Sequence, residues 1–189
     1  MEVMKSKKMM DALKARAMKA RKPMTDEEKA AIRERFRNSE FFKMLQAAKK
    51  QDAIAENGSV VALSYMAAQR TMFGYNDMAD AKSLLESIAR SFGYVYGREK
   101  KVRINTISQS PTMTTAGSGV SGMDKLFDFA ERISPLGNAS AEECADYCIV
   151  MFSDLTRKVT MQNLFHDGGF ASMGMSVEAM SVYEKGMTK

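Results

Sequence analysis

The strongest constraint on how this chain can fold is the order of its apolar segments, because short β-branched runs alternate with long helical patterns. Ser59–Ser64 (SVVALS) and Val102–Ser108 (VRINTIS) predict two strands, the first of them buried on both faces. Between them, Asn76–Phe92 predicts a long helix that Gly93 ends. The other predicted elements are helices over Phe41–Ala55, Met123–Ile133 and Ala141–Ser153, and a short strand over Asn163–Phe165. This order predicts a right-handed parallel α/β sheet.

Composition is compatible with one such domain. The chain has 189 residues, of which 45% are hydrophobic and 27% charged, so it can bury a core. No segment approaches the roughly 20 apolar residues that cross a bilayer, and Met1–Lys22 is too charged for a signal peptide. Two cysteines against 18 methionines exclude a disulfide scaffold. We therefore expect Cys144 and Cys148 to be reduced thiols in a cytoplasmic protein.

The net charge of +5 is concentrated at the start of the chain. Residues 1–50 carry 15 Lys and Arg against 7 Asp and Glu, whereas residues 51–189 carry 13 against 16. The excess of basic residues therefore lies in an N-terminal arm and not in the rest of the chain. We expect a basic helical extension over residues 1–40, followed by an α/β domain over residues 41–189.

The extension itself is predicted to be helical. Met9–Lys22 is rich in strong helix formers, and Pro23 ends that helix. Thr25 and Glu28 then predict a capping box that starts a second helix, continued by Lys29–Arg37. The charge pattern favours a solvated extension, and contact with an anionic membrane or a nucleic acid is the second interpretation. Nucleic-acid binding is disfavoured because no stacking aromatics interleave the first basic stretch.

Tyr75 and Lys82 are a candidate catalytic pair. They are seven residues apart at the start of a predicted helix, which is nearly two turns, so they share one face. A nearby ammonium would lower the pKa of the Tyr75 phenol toward working pH and make it a proton donor. The plainer interpretation is a tyrosine at a helix start and a lysine that reaches solvent.

Three polar clusters are predicted to meet at one edge of the sheet. Tyr65 directly follows the strand Ser59–Ser64, and Tyr75 and Lys82 lie on the helix that leaves the same end. The next strand ends in the loop Ser110–Thr115 (SPTMTT). Open α/β sheets bind ligands at the carboxyl ends of their strands, so this convergence indicates a functional site.

These segments resemble a known enzyme family. SYMAAQRTMFGYNDMADAKSLLES, VRINTISQSPTMTTAGSG and FHDGGF are similar to the short-chain dehydrogenase/reductases, and more closely to the bacterial NADH-dependent enoyl-[acyl-carrier-protein] reductases. Tyr75, Met78 and Lys82, with Tyr65 upstream, match the pattern of that subfamily. Ala62 stands where conventional dehydrogenases of the family have a serine, which favours an enoyl reductase over a ketoacyl reductase. The resemblance covers roughly Phe42–Met175.

The resemblance implies a partial Rossmann-like sheet, the C-terminal part of a short-chain dehydrogenase fold, and the NADH-dependent reduction of a trans-2-enoyl-[acyl-carrier-protein] in fatty-acid biosynthesis. It implies that Lys82 holds the nicotinamide ribose, that Tyr75 donates to the thioester carbonyl and that Tyr65 lines the substrate pocket. The residues that it implies for catalysis are Tyr65, Tyr75 and Lys82, and those for NADH binding are Lys82, Pro111, Thr112, Met113, Thr114, Thr115 and Ala116. It also implies a mobile substrate loop over Thr115–Phe129 and a homo-oligomer, commonly a tetramer.

One feature of the family is not found. Its dinucleotide site begins with a glycine-rich turn after the first strand, and no such turn lies near the start of this chain. Gly117–Gly122 matches G-x-G-x-x-G, but it follows Pro111 in a loop, so we interpret the match as coincidence. Residues 1–40 are expected to match nothing in the family, and the sheet is expected to have an uncovered edge. A non-catalytic remnant that oligomerises, or binds anionic partners through the basic arm, is therefore the alternative function.

Two remaining signals carry little chemistry. Cys144 and Cys148 are four residues apart on a predicted helix, but with His166 as the only histidine they suggest no closed zinc site. We expect no metal and two buried thiols. His166 precedes Asp167–Gly168–Gly169 and is predicted to be a turn or interface residue, not a catalyst.

Overall fold

The structure is a computed structural model that describes residues 25–72, 75–112 and 123–187. It divides into two compact units, Met1–Glu40 and Phe41–Lys189. Among the described residues, no helix is both long and apolar enough to cross a membrane.

The first unit contains helix α1 (Asp26–Asn38). Its start is the predicted capping box: the Thr25 hydroxyl accepts a hydrogen bond from the Glu28 backbone at 3.1 Å, and the Glu28 carboxylate accepts one from the Thr25 backbone at 2.7 Å. Both bonds satisfy amides that a helix start leaves without partners, so the capping box is confirmed. The predicted helix Met9–Lys22 lies outside the described residues.

The second unit is an α/β domain. In chain order its elements are α2 (Glu40–Lys50), β1 (Ser59–Ser64), α3 (Asn76–Lys100), β2 (Arg103–Gln109), α4 (Met123–Ile133), α5 (Ala141–Phe152), β3 (Asn163–His166) and α6 (Val177–Met187). Three short 3₁₀ turns, Met66–Ala68, Asp154–Thr156 and Phe170–Ser172, lie between them. The predicted order of strands and helices is therefore confirmed as far as β3, and β1 and α4 have their predicted bounds. Helix α2 ends at Lys50, before the predicted Ala55, and α6 was not predicted.

The three strands form one parallel sheet in the order β1-β2-β3. Successive side chains on a strand point to opposite faces of the sheet. Each face of this sheet is covered by a helix. Ser64 reaches α3 through its hydroxyl, whereas Ser59 and Arg103 both donate to the carbonyl of Met151 in α5. The central strand β2 is consequently buried along almost its whole length. The result is a layered sheet whose strands all present their carboxyl ends at the same edge.

Two local predictions were wrong. Gly93 does not end α3, which continues to Lys100 and ends at Lys101 in the left-handed conformation (φ 59°). A Cβ at Gly93 would lie 2.7 Å from the Met161 side chain, so this glycine lets α3 pack closely against the segment before β3. Strand β1 is not buried on both faces: it is an edge strand of the sheet, and its Leu63 side chain is 50% exposed.

The turn after β3 is fixed by backbone contacts. The Asp167 carboxylate accepts hydrogen bonds from the amides of Gly169 (3.0 Å) and Ala171 (2.8 Å). Gly168 has φ +62°, and a Cβ there would lie 1.9 Å from the carbonyl oxygen of Gly137. The FHDGGF segment therefore needs a glycine at this position for steric reasons alone.

We predict that Gly168→Ala lowers the free energy of unfolding by about 2–4 kcal/mol, because the methyl group clashes with backbone and the residue has positive φ. Chemical denaturation followed by circular dichroism measures the loss. Gly174→Ala is the control, since nothing lies within 4 Å of its added methyl group. Equal stability of the two variants would contradict this account of the turn.

Candidate active site

Tyr65 marks the carboxyl end of β1. Ser64, the last strand residue, is buried, and Tyr65 is only 8% exposed. The chain then turns away through Met66–Ala68, and the Tyr65 carbonyl accepts the Ala68 amide at 3.0 Å. The tyrosine ring is therefore held at the edge of the sheet where parallel α/β proteins place ligands.

Tyr75 packs directly against this ring. It is the N-cap residue of α3, with φ −120° and ψ 25°. The two ring centroids are 5.3 Å apart at an interplanar angle of 64°, an edge-to-face contact. The structure thus brings together the two phenols that the sequence predicts for the site.

Both phenols are held in the neutral form. Burial raises the pKa of Tyr65 strongly, and Tyr75 and the Asp167 carboxylate raise it further. Burial also raises the pKa of Tyr75. The Tyr65 hydroxyl is buried and has no hydrogen-bond partner among the described residues. A buried hydroxyl without a partner is rare and unfavourable, and functional sites are among the places where such groups are retained.

Lys82 does not act on Tyr75 as predicted. Its ammonium donates a hydrogen bond to the Leu63 carbonyl at 2.8 Å, and burial lowers the pKa of the lysine. The pKa of Tyr75 rises instead of falling, because the removal of water around the phenol is the effect that determines it. The predicted lowering of the Tyr75 pKa is therefore wrong, although neutral phenols remain good hydrogen-bond donors.

Sequence reasoning missed Glu86. This carboxylate on α3 is 4% exposed, and it accepts hydrogen bonds from the Ser64 hydroxyl (2.7 Å) and the Gln69 amide (2.8 Å). An acidic residue one turn after Lys82, next to the apolar Ile88 and Ala89, is the signal that could have identified it, because acids are rarely fully buried without a specific partner.

The loop Ser110–Thr115, which follows β2, is described only as far as Thr112. Pro111 is buried, and the Thr112 hydroxyl donates to the Ser110 carbonyl at 3.1 Å. The Ser110 hydroxyl accepts from the Ala139 amide at 2.8 Å, which fixes the start of the loop. The predicted cofactor residues Met113, Thr114, Thr115 and Ala116 lie outside the described residues, as does the G-x-G-x-x-G segment. Of the predicted substrate loop, residues 123–129 are helical and belong to α4.

The other candidates have local structural contacts. His166 is the last residue of β3, where its Nδ1 lies 2.8 Å from the Gln109 side-chain oxygen and its ring stacks on Tyr147 at 4.9 Å. Burial, with the neighbouring Cys148, raises the pKa of the Cys144 thiol. No cluster of three or more metal-ligating side chains occurs in the part of the chain that the structure describes.

Comparison with known proteins shows the family of the chain. The family model described as "Enoyl-(Acyl carrier protein) reductase" matches residues 7–171. The chain belongs to this family. An NADH-dependent enoyl-[acyl-carrier-protein] reductase of Bacillus subtilis, FabI, is 33% identical over 118 residues, which are 62% of this chain and 45% of that protein. A chloroplastic counterpart from rice is 31% identical over 124 residues, 65% of this chain and 33% of the rice protein.

A solved structure shows the same fold. The FabI–NADH complex of Alistipes finegoldii is 75% identical, with a TM-score of 0.73, over 77% of this chain and 52% of that one. The partial Rossmann-like fold is thereby confirmed. The chain spans about half, or less than half, of the length of these relatives. The family match begins at residue 7, so the prediction that residues 1–40 match nothing in the family is wrong.

We predict that Tyr65→Phe does not destabilise the protein and raises its free energy of unfolding by about 1 kcal/mol, because it removes a buried hydroxyl that has no partner. Urea denaturation at neutral pH measures the change. Tyr94→Phe, at a 63% exposed position of α3, is the control and should stay within about 0.5 kcal/mol of the parent. A clear loss of stability in Tyr65→Phe would mean that the hydroxyl has a stabilising partner.

The raised phenol pKa values also predict how stability depends on pH. In the unfolded chain tyrosines ionise near pH 10, whereas the buried phenols keep their protons to higher pH. The unfolded state therefore binds fewer protons above about pH 10, and stability falls as the pH rises. Denaturation curves between about pH 9 and 11.5 should show a shallower fall for Tyr65→Phe than for Tyr94→Phe. Parallel curves would contradict the assignment.

Proposed function

We propose that this chain carries the catalytic end of an NADH-dependent reductase that acts on trans-2-enoyl-[acyl-carrier-protein] in fatty-acid biosynthesis. The observation that carries this proposal is the contact between two neutral phenols, one with an unpartnered hydroxyl, at the ligand-binding edge of the sheet. Family membership and the relatives' NADH-dependent activity support it. Its partners would be the acyl-carrier-protein thioester and further subunits of a homo-oligomer, a tetramer by analogy with the family.

The residues at this edge fit the nicotinamide end of the cofactor. The buried Tyr65 hydroxyl is a donor without a partner among the described residues, and the Lys82 ammonium is fixed by its bond to the Leu63 carbonyl. Lys82, Pro111 and Thr112 would hold the cofactor together with Met113, Thr114, Thr115 and Ala116. When bound, NADH supplies a hydride for the β-carbon of the enoyl thioester.

Tyr75 then has a defined task. Reduction at the β-carbon places negative charge on the thioester oxygen, and a neutral phenol stabilises that charge by donating a hydrogen bond. Because burial raises the pKa of Tyr75, the phenol keeps its proton, and with it its donor capacity, above its ordinary range. Tyr65, packed against the Tyr75 ring, would line the acyl pocket and limit the ring's position. Lys82 would bind the ribose hydroxyls through ammonium protons that its single backbone bond leaves available.

We predict that Tyr75→Phe lowers the rate of NADH oxidation with a crotonyl thioester by about 10²–10³-fold, the usual effect of removing one oxyanion donor. The decrease in absorbance at 340 nm measures it. Tyr94→Phe, on the exposed face of the same helix, should keep the parent rate.

The proposal fails if Tyr75→Phe and the parent turn over equally. It also fails if fluorescence titration detects no NADH binding at millimolar cofactor, because the nicotinamide end would then have no measurable affinity. In that case Lys82→Met and the parent would be indistinguishable in the titration.

A non-catalytic interaction module is the second candidate, and one observation favours it. Large apolar side chains are exposed on and after α5, as in Ile149 (65%) and Leu155 (87%), so this surface has the character of a contact with another chain. The basic extension over residues 1–40 would bind an anionic partner. Light scattering of the chain alone and mixed with a full-length relative tests assembly, and strongly salt-dependent polyanion binding, lost on deletion of Met1–Arg37, tests the extension.

A further inference from the structure

We infer that Glu86 is a positioning residue for Tyr65, acting by holding both ends of the turn that carries it. This inference rests on the proposed function, because it assigns Glu86 a role in presenting the phenols to substrate. No contact of Glu86 with substrate or cofactor is invoked.

The carboxylate bridges the two sides of the turn. Its Oε1 accepts the Ser64 hydroxyl at 2.7 Å, immediately before Tyr65, and its Oε2 accepts the Gln69 amide at 2.8 Å, immediately after Met66–Ala68. Within the turn itself, short-range backbone bonds end on the carbonyls of Tyr65 and Met66. Glu86 therefore provides a tertiary link that spans the entire segment.

Neighbouring residues of α3 reinforce this link. Lys82 donates to the Leu63 carbonyl and Ser83 to the Ala68 carbonyl, both at 2.8 Å. Positions 82 and 83 both neighbour position 86 on the helix surface, because position 86 is four and three residues further along. The turn is thus attached to α3 at each end by one side-chain and one backbone contact. Of the three helix residues, Glu86 is the most deeply buried.

A buried carboxylate is an unfavourable choice if the position only fills space. Desolvation of a charge is costly, and a leucine of similar size would fill the same space without that cost. Charge-assisted hydrogen bonds are, however, shorter and stronger than neutral ones, so an acid holds two donors more firmly. Among the described residues, the Tyr65 hydroxyl has no hydrogen-bond partner that would fix the ring. The position of the ring therefore depends on its packing against Tyr75 and on the backbone on either side, and small displacements near reacting groups reduce rates markedly.

The test compares two substitutions at one position. Glu86→Leu removes both hydrogen bonds and suits a buried site, whereas Glu86→Gln can keep both if the Gln69 amide rotates to accept one. With crotonyl thioester we expect kcat to fall about 10–100-fold in Glu86→Leu, with KM for NADH within about threefold of the parent. Glu86→Gln should restore kcat to within about threefold. Ser91→Ala is the control, since this exposed hydroxyl bonds only to the Ser87 carbonyl of its own helix.

A second variant guards against simple misfolding. Gln69→Leu removes one of the two donors at an exposed residue, so the fold should survive, and kcat should fall about 3–10-fold. Thermal denaturation of every variant accompanies the kinetics. If Glu86→Leu unfolds and Gln69→Leu has the parent kcat, Glu86 is structural only and the inference is wrong.

A readout independent of activity separates this inference from the proposed function. Hydrogen–deuterium exchange should be about tenfold faster at the amides of residues 68–70 in Glu86→Leu, and unchanged in Glu86→Gln and Ser91→Ala. If the parent shows no turnover, the proposed function fails, and these exchange rates decide whether Glu86 holds the turn. Parent-like exchange in Glu86→Leu, or an equal loss in Glu86→Gln, overturns the inference.

Discussion

The contact between α3 and the end of β1 is the interaction on which the rest of this site depends. One helix supplies Lys82 and Glu86, and its N-cap residue is Tyr75, whereas the strand supplies Tyr65. Because the helix is packed on the sheet through buried residues such as Ile88 and Phe92, its polar face is brought to the strand end without a separate loop. The position of α3 therefore determines both the packing of the core and the geometry of the site. A shift of α3 that disturbed the core would also separate the two phenols.

Features set by local sequence were predictable. The capping box at Thr25 and the parallel strands could be predicted because each depends on a few adjacent residues or on periodicity. The meeting of Tyr65 and Tyr75 was predictable for a different reason. Parallel topology sends every strand's carboxyl end to one edge, so residues that follow different strands converge there.

Features set by distant contacts were not predictable in the same way. Gly93 has the sequence signature of a helix end, and only its close approach to Met161 in the fold explains a glycine inside the helix. The pKa of Tyr75 depends on how much water the fold removes, which a Tyr–Lys spacing does not contain. The hydrogen bonds of Glu86 join residues 17 and 22 positions away along the chain. The similarity of the residues before Phe42 to the family could not be predicted either, because these residues contain no short motif of the family.

The burial of the Tyr65 hydroxyl, which has no hydrogen-bond partner among the described residues, has a consequence for selectivity. Folding already removes water from this group, so a ligand that reaches it has little water to displace. An oxygen that accepts its hydrogen bond gains nearly the full strength of that bond, whereas an alkyl group at the same place leaves the hydroxyl as it was. Discrimination between carbonyl and hydrocarbon would thus be built in during folding, before any encounter with a ligand.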